Sequence, residues 1–113
     1  MAVVGNTLDE AAGRGSHARV VYDLPRRCTM ADSMALREDL LLQFTSGQPI
    51  TLNAEPVQDI DTSGLQLLTA FARDMAAAGR PVRWQSAPAL LTQSAERLGL
   101  GTALGLSHVA GLA

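Results

Sequence analysis

Apolar residues recur along this chain with two alternating periods, one typical of strands and the other typical of helices. Short runs rich in β-branched and aromatic residues predict strands at 18–24, 50–54 and 82–85, with a shorter strand possible at 28–29. Between them, apolar residues spaced three and four apart predict helices over 31–45, 65–79 and 88–98. Because strands and helices alternate, we predict an α/β fold in which helices cover a sheet.

The apolar residues of the predicted helices indicate which sides are buried. In helix 31–45, an apolar face is formed by Leu36, Leu40 and Phe44, flanked by Met34 and Leu41. In helix 65–79, the apolar side is broad and includes Leu68 and Phe71, which we therefore expect in the core. We expect the inner face of the last helix, and two leucines beyond it, to join the same core: Leu91, Ala95, Leu98, Leu104 and Leu106.

The two ends of the chain lack such periodicity. We predict mobile tails at 1–17 and 107–113, with one domain between them at 18–106. A chain of 113 residues suits a single domain and can bury roughly two-thirds of its unfolded surface.

A polar cluster lies between the strand at 50–54 and the helix at 65–79. Asp61 or Thr62 can cap that helix, because a side-chain oxygen there accepts from an unpaired backbone N–H group. Thr62 and Ser63 place two hydroxyls at this end of the helix, where an added phosphate would be tolerated. A cluster with only a capping role explains the same residues. Gly64 indicates a close backbone approach, by the chain itself or by a partner, and we expect Gly64→Val to impair binding more than stability.

Composition and charge exclude several classes of function. A net charge of −2 disfavours non-specific nucleic-acid binding, which requires a basic surface. The single cysteine excludes an internal disulfide and fits the reducing cytoplasm. No stretch approaches the ~20 apolar residues that span a bilayer, and no signal peptide is evident. We therefore expect a cytoplasmic protein without direct membrane insertion.

The residues capable of catalysis or metal binding are scattered. His17 and His108 lie in the predicted tails without spaced carboxylate or cysteine partners. Asp59 and Asp61 lack an adjacent histidine, and the glycines after residue 98 end a helix instead of opening one. We expect no metal, no cofactor and no enzymatic activity.

Residues 61–65, with the sequence Asp-Thr-Ser-Gly-Leu, resemble the Asp-Ser-(Ser/Thr)-Gly-Leu signature of STAS domains, the anti-sigma factor antagonist family. The order of elements around this motif is also similar, over roughly residues 19–106. The resemblance implies a small mixed β-sheet of about four strands, with helices packed mainly on one face.

The resemblance also implies a function in bacterial signal transduction and regulation of transcription. Thr62 stands at the family's phosphoacceptor position, and Ser63 is the weaker candidate. The partners implied are an anti-sigma factor or serine-threonine kinase and a cognate phosphatase. They would bind the motif loop and the exposed part of the helix when the acceptor is unphosphorylated. The partner-binding residues that we predict are Asp59, Asp61, Gly64 and Leu65.

One departure from the signature supports an alternative. The simplest family members have Ser after the motif aspartate, whereas this chain has Thr62. In this respect it is similar to the STAS subunit of Mla-type lipid ABC transporters and to chemotaxis-linked STAS proteins. The transporter resemblance implies constitutive binding to an ABC transporter ATPase, without phosphorylation.

Overall fold

Strands and helices alternate along residues 19–106, the part of the chain that the computed structural model describes. The strands are β1 Val20–Asp23, β2 Arg27–Cys28, β3 Ile50–Asn53, β4 Asp59–Ile60 and β5 Arg83–Ser86. The helices are α1 Ser33–Thr45, α2 Thr62–Ala77, α3 Ala89–Arg97 and α4 Gly101–Leu104, and a 3-10 helix, Met30–Asp32, precedes α1. The predicted tails, with His17 and His108, lie outside the described residues.

The described strands form two parallel sheets. In the larger sheet, β3 lies between β1 and β5 and pairs with both in parallel, so that Tyr22, Leu52 and Trp84 form one row. In the smaller sheet, β2 pairs with β4 in parallel. The α/β fold is confirmed. The five described strands, three in one sheet and two in the other, are compatible with the predicted small sheet of about four. The two strands of the smaller sheet have two residues each, which is too short to leave a hydrophobic period in the sequence.

The larger sheet is covered on one face. Ile50, Leu52 and Trp84 are buried in the same apolar core as the inner residues of the helices, whereas Val21 and Arg83, which alternate with them, are exposed. This arrangement confirms that the helices pack mainly on one face of the sheet.

Parallel strands also end at a common edge. The turn between β4 and α2, which carries the motif, follows the carboxyl end of β4.

The helices supply most of the core as predicted. Leu68 and Phe71 of α2 are buried, and so are Leu36 and Leu40 of α1. The residues that flank the apolar face of α1 are not buried: Leu41 is 59 % exposed and Met34 is 77 % exposed. Consecutive helical residues are separated by about 100° around the axis, so a flanking residue is buried only where a neighbouring element reaches it.

The chain after β5 is fixed to the core through Trp84. Its indole Nε1 donates to the Leu104 carbonyl oxygen at 2.7 Å, and the side chains of Leu104 and Leu106 are buried. Trp84 is therefore a core residue, and both leucines dock on the core, as predicted. Leu98 was expected on the inner face of α3 but is 47 % exposed. The helix ends at Arg97, so Leu98 already lies beyond the last helical residue.

Candidate functional site

Helix α2 begins with a side-chain cap from Asp61. The Asp61 backbone is extended, and its Oδ1 accepts a hydrogen bond from the Gly64 N–H at 3.0 Å. Of the two predicted caps, Asp61 is therefore the one used, and the helix begins at Thr62, three residues before the predicted start. The cap satisfies one of the backbone donors that a helix leaves unpaired at its first turn.

Asp61 also connects α2 to the segment that follows β2. Its Oδ2 accepts from the Met30 N–H at 2.9 Å, and its own N–H donates to the Cys28 carbonyl oxygen at 3.3 Å. The donations from Met30 and Gly64 lower the pKa of the Asp61 carboxyl, because they stabilise its charged form. Both carboxylate oxygens are thus engaged in holding the backbone at the motif.

Gly64 packs directly against the backbone of Cys28. A Cβ at this position would overlap the Cys28 carbonyl oxygen and also approach the Cys28 Cβ. The close approach that the sequence indicated is therefore made by the chain itself. Gly64 is buried, so it does not present a surface to a partner, and its substitution must first disturb the contact between α2 and β2. The structure therefore reverses the expectation for Gly64→Val, and we now predict a larger effect on stability than on binding.

The two hydroxyls of the motif are not used by the fold that the structure describes. Thr62 is exposed and Ser63 is half-buried, and within residues 19–106 neither side chain makes a hydrogen bond. Asp59 is exposed on β4, beside the strand that carries Arg27. Leu65 is only 1 % exposed and its side chain belongs to the core, so its predicted partner-binding role is limited to its place in the lining of the cleft described below.

Thr62 and Ser63 face different clefts. Thr62 lines a cleft of about 240 Å³ between the start of α2 and the end of α3, which we call the Thr62 cleft; its other lining residues are Ile60, Asp61, Leu65, Ser94, Arg97 and Leu98. Ser63 lines a separate space of about 360 Å³ between α1 and α2, together with Ser33, Met34, Arg37, Gln66 and Leu67. Of the predicted site residues, the structure brings Asp61, Thr62 and Leu65 to the first cleft and Ser63 to the second, whereas Asp59 lines neither.

The sequence did not indicate the contribution of α3 to the Thr62 cleft. Ser94, Arg97 and Leu98 follow the motif by some thirty residues, and nothing in their spacing relates them to Thr62. The exposed Leu98 side chain gives the cleft an apolar border, and Arg97 gives it a positive charge. A basic residue in the last turn of a helix is common for reasons of helix stability, so Arg97 carried no specific signal.

Cys28 is a structural residue beneath the motif. Its side chain is buried, and its Sγ lies 3.6 Å from the Pro25 carbonyl oxygen. Burial, with smaller contributions from Asp32 and Asp61, raises the pKa of the Cys28 thiol to about 11. The reactive thiolate is therefore scarce near neutral pH.

No three His, Cys, Asp or Glu side chains within residues 19–106 converge as a metal site would require. None of the helices described has the length and apolarity required to cross a membrane.

Comparison with known proteins identifies a family for most of the chain. The family model described as "Mlab, STAS domain" matches residues 12–108, which is most of the chain. No curated protein and no solved structure matches the chain. The match includes the motif, the strands on which it depends and the helices that form both clefts. The chain therefore belongs to the STAS domain family and is a regulatory or binding module of the STAS type.

Proposed function

We propose that this protein is a non-catalytic module that binds a partner protein at the Thr62 cleft and is switched by phosphorylation of Thr62. One observation supports this function above the others: Asp61 caps α2, so the exposed Thr62 hydroxyl is left free for modification. The proposed partners are an anti-sigma factor or serine-threonine kinase and a cognate phosphatase, acting in the bacterial cytoplasm.

The charge around Thr62 is compatible with such a switch. A phosphate at the N-terminus of α2, which has 16 residues, gains about 0.3–1 kcal/mol from the helix dipole. Arg97 lines the same cleft and offers a counter-charge within the free protein. A partner seated over Thr62 would bury the phosphate, whose charge of nearly −2 exceeds the single positive charge of Arg97, at a cost of several kcal/mol, or a hundredfold or more in affinity.

Asp61 is poorly suited to act as a general base. Both of its oxygens accept from backbone donors, and its lowered pKa makes the carboxylate a weak proton acceptor. Phosphate transfer to Thr62 would accordingly require a kinase that supplies nucleotide, metal and catalysis. Purified protein mixed with ATP and magnesium should yield neither ADP nor phosphoprotein.

The experiment is titration of three variants against each kinase or ATPase encoded beside this gene, with mass spectrometry of the kinase reactions. Thr62→Asp should melt within a few degrees of the parent and bind about a hundredfold more weakly. Thr62→Ala should bind normally and resist phosphorylation, whereas Ser63→Ala should still accept phosphate at Thr62. The proposal is wrong if Thr62→Asp binds as tightly as the parent and no kinase modifies Thr62.

A second candidate function is constitutive binding to the ATPase of an Mla-type lipid ABC transporter. The description of the matching family model favours it, as does the presence of Thr62 where the simplest antagonists have serine. In that case the protein should stimulate its ATPase equally before and after phosphatase treatment. Such stimulation, with no phosphate found on Thr62 in cells, would favour this function over the switch.

A further inference from the structure

Helix α1 exposes large apolar side chains beside α2. Two spaces between the helices both have Arg37 and Leu67 in their lining, so they adjoin along α1 and α2 and we treat them as the two halves of one groove. We call it the Leu41 groove and define it by Met34, Arg37, Leu41, Phe44, Leu67 and Ala70. Met34 and Leu41 rank among the more exposed large apolar residues of the described chain. Contiguous exposed apolar surface of this kind is typical of an interaction site.

The groove has the dimensions of a helix. From Ser33 to Phe44 it follows twelve residues of α1, which corresponds to about 16 Å. A third helix that packs into the depression between two neighbouring helices places apolar residues at i, i+3 or i+4, and i+7. A segment of about three turns would therefore cover both halves of the groove.

A single cation lies where the two halves meet. Arg37 is exposed and lines both halves of the groove. Within residues 19–106 it forms no ion pair; the ion pair described there joins Arg27 and Asp32. Asp74 lines one end of the groove but does not pair with Arg37. A ligand that covers the apolar residues would also cover this guanidinium. It would bind best if it carried a carboxylate at that point.

We propose that the Leu41 groove binds an amphipathic helix of a partner protein, with Asp or Glu at the centre of its apolar stripe. A second copy of this chain is disfavoured, because two copies docked groove to groove around a twofold axis would bring their Arg37 side chains together. The groove lies on the other side of α2 from the Thr62 cleft. The inference therefore does not depend on phosphorylation of Thr62.

The test uses two synthetic peptides of about three to four helical turns. Both carry the same stripe of leucines, and they differ only in the central residue, which is Glu in one peptide and Lys in the other. The central position is chosen because it lies opposite Arg37 in either orientation of the bound helix. Fluorescence anisotropy should show micromolar binding of the Glu peptide and at least about tenfold weaker binding of the Lys peptide. Arg37→Glu should reverse this preference.

Two leucines provide a matched pair of variants. Leu41→Glu should abolish binding of the Glu peptide, whereas Leu42→Glu should retain it, since Leu42 is 66 % exposed but does not line the groove. Both positions are exposed, so both variants should fold. Thr62→Asp should leave peptide binding unchanged, which separates failure of this proposal from failure of the phosphorylation switch.

Three results would overturn the proposal. The first is equal binding of the two peptides to the parent protein, with no change in their relative affinity in Arg37→Glu. The second is absence of binding by either peptide up to about 1 mM. The third is a concentration-dependent dimer, detected by analytical ultracentrifugation, that Leu41→Glu dissociates, because a second copy would then occupy the groove.

Discussion

Thr62 and Ser63 are neighbours in sequence, yet they serve two surfaces of different character. Thr62 lies in a cleft between α2 and α3, with acidic Asp61 beside it and Arg97 and Leu98 opposite. Ser63 lies at one end of the longer Leu41 groove, among Met34, Arg37 and Leu67. Consecutive residues at the start of a helix are about 100° apart around its axis, which is enough to separate them.

This difference means that the two hydroxyls are not interchangeable. A negative charge on Thr62 lies beside Asp61 and in the same cleft as Arg97, whereas a negative charge on Ser63 lies in the same space as Arg37. The two surfaces nevertheless share α2 and its first turn. Variants that disturb the shared helix should therefore affect both surfaces, and variants confined to one hydroxyl should separate them.

Gly64→Val should produce the largest effect, because the new side chain would overlap the Cys28 backbone. Backbone cannot yield as a flexible side chain can, so we expect a loss of about 4 kcal/mol or more in the free energy of unfolding. That loss is a large share of the ~5–15 kcal/mol available to a domain. Urea denaturation followed by circular dichroism measures it.

Gly101→Ala is the matched control for Gly64→Val. Gly101 begins α4, its backbone is not in the left-handed region, and no atom lies within 4 Å of an added Cβ. The Gly101→Ala variant should unfold at a urea concentration close to that of the parent. A Gly64→Val variant as stable as Gly101→Ala would show that α2 and β2 are not in contact through Gly64.

Leu68→Ala should have the next largest effect. The Leu68 side chain is fully buried, and its truncation should cost about 2–5 kcal/mol. Leu42→Ala, on the exposed side of α1, should change the free energy of unfolding by less than about 0.5 kcal/mol. If both variants denature at the same urea concentration, the broad apolar face of α2 is not the core.

Ser63→Asp and Thr62→Asp compare the two surfaces directly. Each adds one negative charge to the first turn of α2, where it is tolerated, so both should melt within a few degrees of the parent. Ser63→Asp should reduce the preference of the Leu41 groove for the Glu peptide severalfold by partly neutralising Arg37, and Thr62→Asp should not. Equal effects of the two variants on that preference would mean that the groove and the cleft are one surface.

Acid should disturb the first turn through Asp61, with a smaller effect. Its pKa is lowered in the folded state, so its contribution to stability is fully present above the unfolded value of about 3.9. The contribution is lost as pH falls through the lower folded value. The urea midpoint of the parent should therefore fall more steeply between about pH 5 and pH 2 than that of Asp61→Asn. If the urea midpoints of the parent and of Asp61→Asn fall equally with decreasing pH, the charge of Asp61 does not contribute to stability.

The sequence predicted the parts of this site that depend on local chemistry. Asp61 as a cap and Leu68 as a core residue follow from short-range geometry, because a cap and a helical face involve residues within a few positions of one another. The two clefts could not be predicted in this way. Periodicity shows that Met34 and Leu41 adjoin an apolar face, but only the position of α2 decides that they remain exposed.

The short strand β4 was missed for a related reason. No strand is predicted between residues 54 and 65, because the composition of residues 55–61 is typical of a loop. The pairing of Asp59 and Ile60 with Arg27 and Cys28 depends on backbone hydrogen bonds between segments about thirty residues apart. Side-chain patterns carry no information about such a bond. The same limitation kept Arg97 and Leu98 from being related to Thr62.

The hydrogen bond from the Met30 N–H to the Asp61 carboxylate has a consequence for folding kinetics. It joins residues 31 positions apart, and every described strand pairing is also parallel and non-local. Helix α2 can form early because its own hydrogen bonds are local, but its start is complete only after β2 has docked. Contacts of such sequence separation are typical of slower folding. The motif should therefore be among the last parts of the molecule to form, and deuterium exchange at the Met30 amide would report its completion.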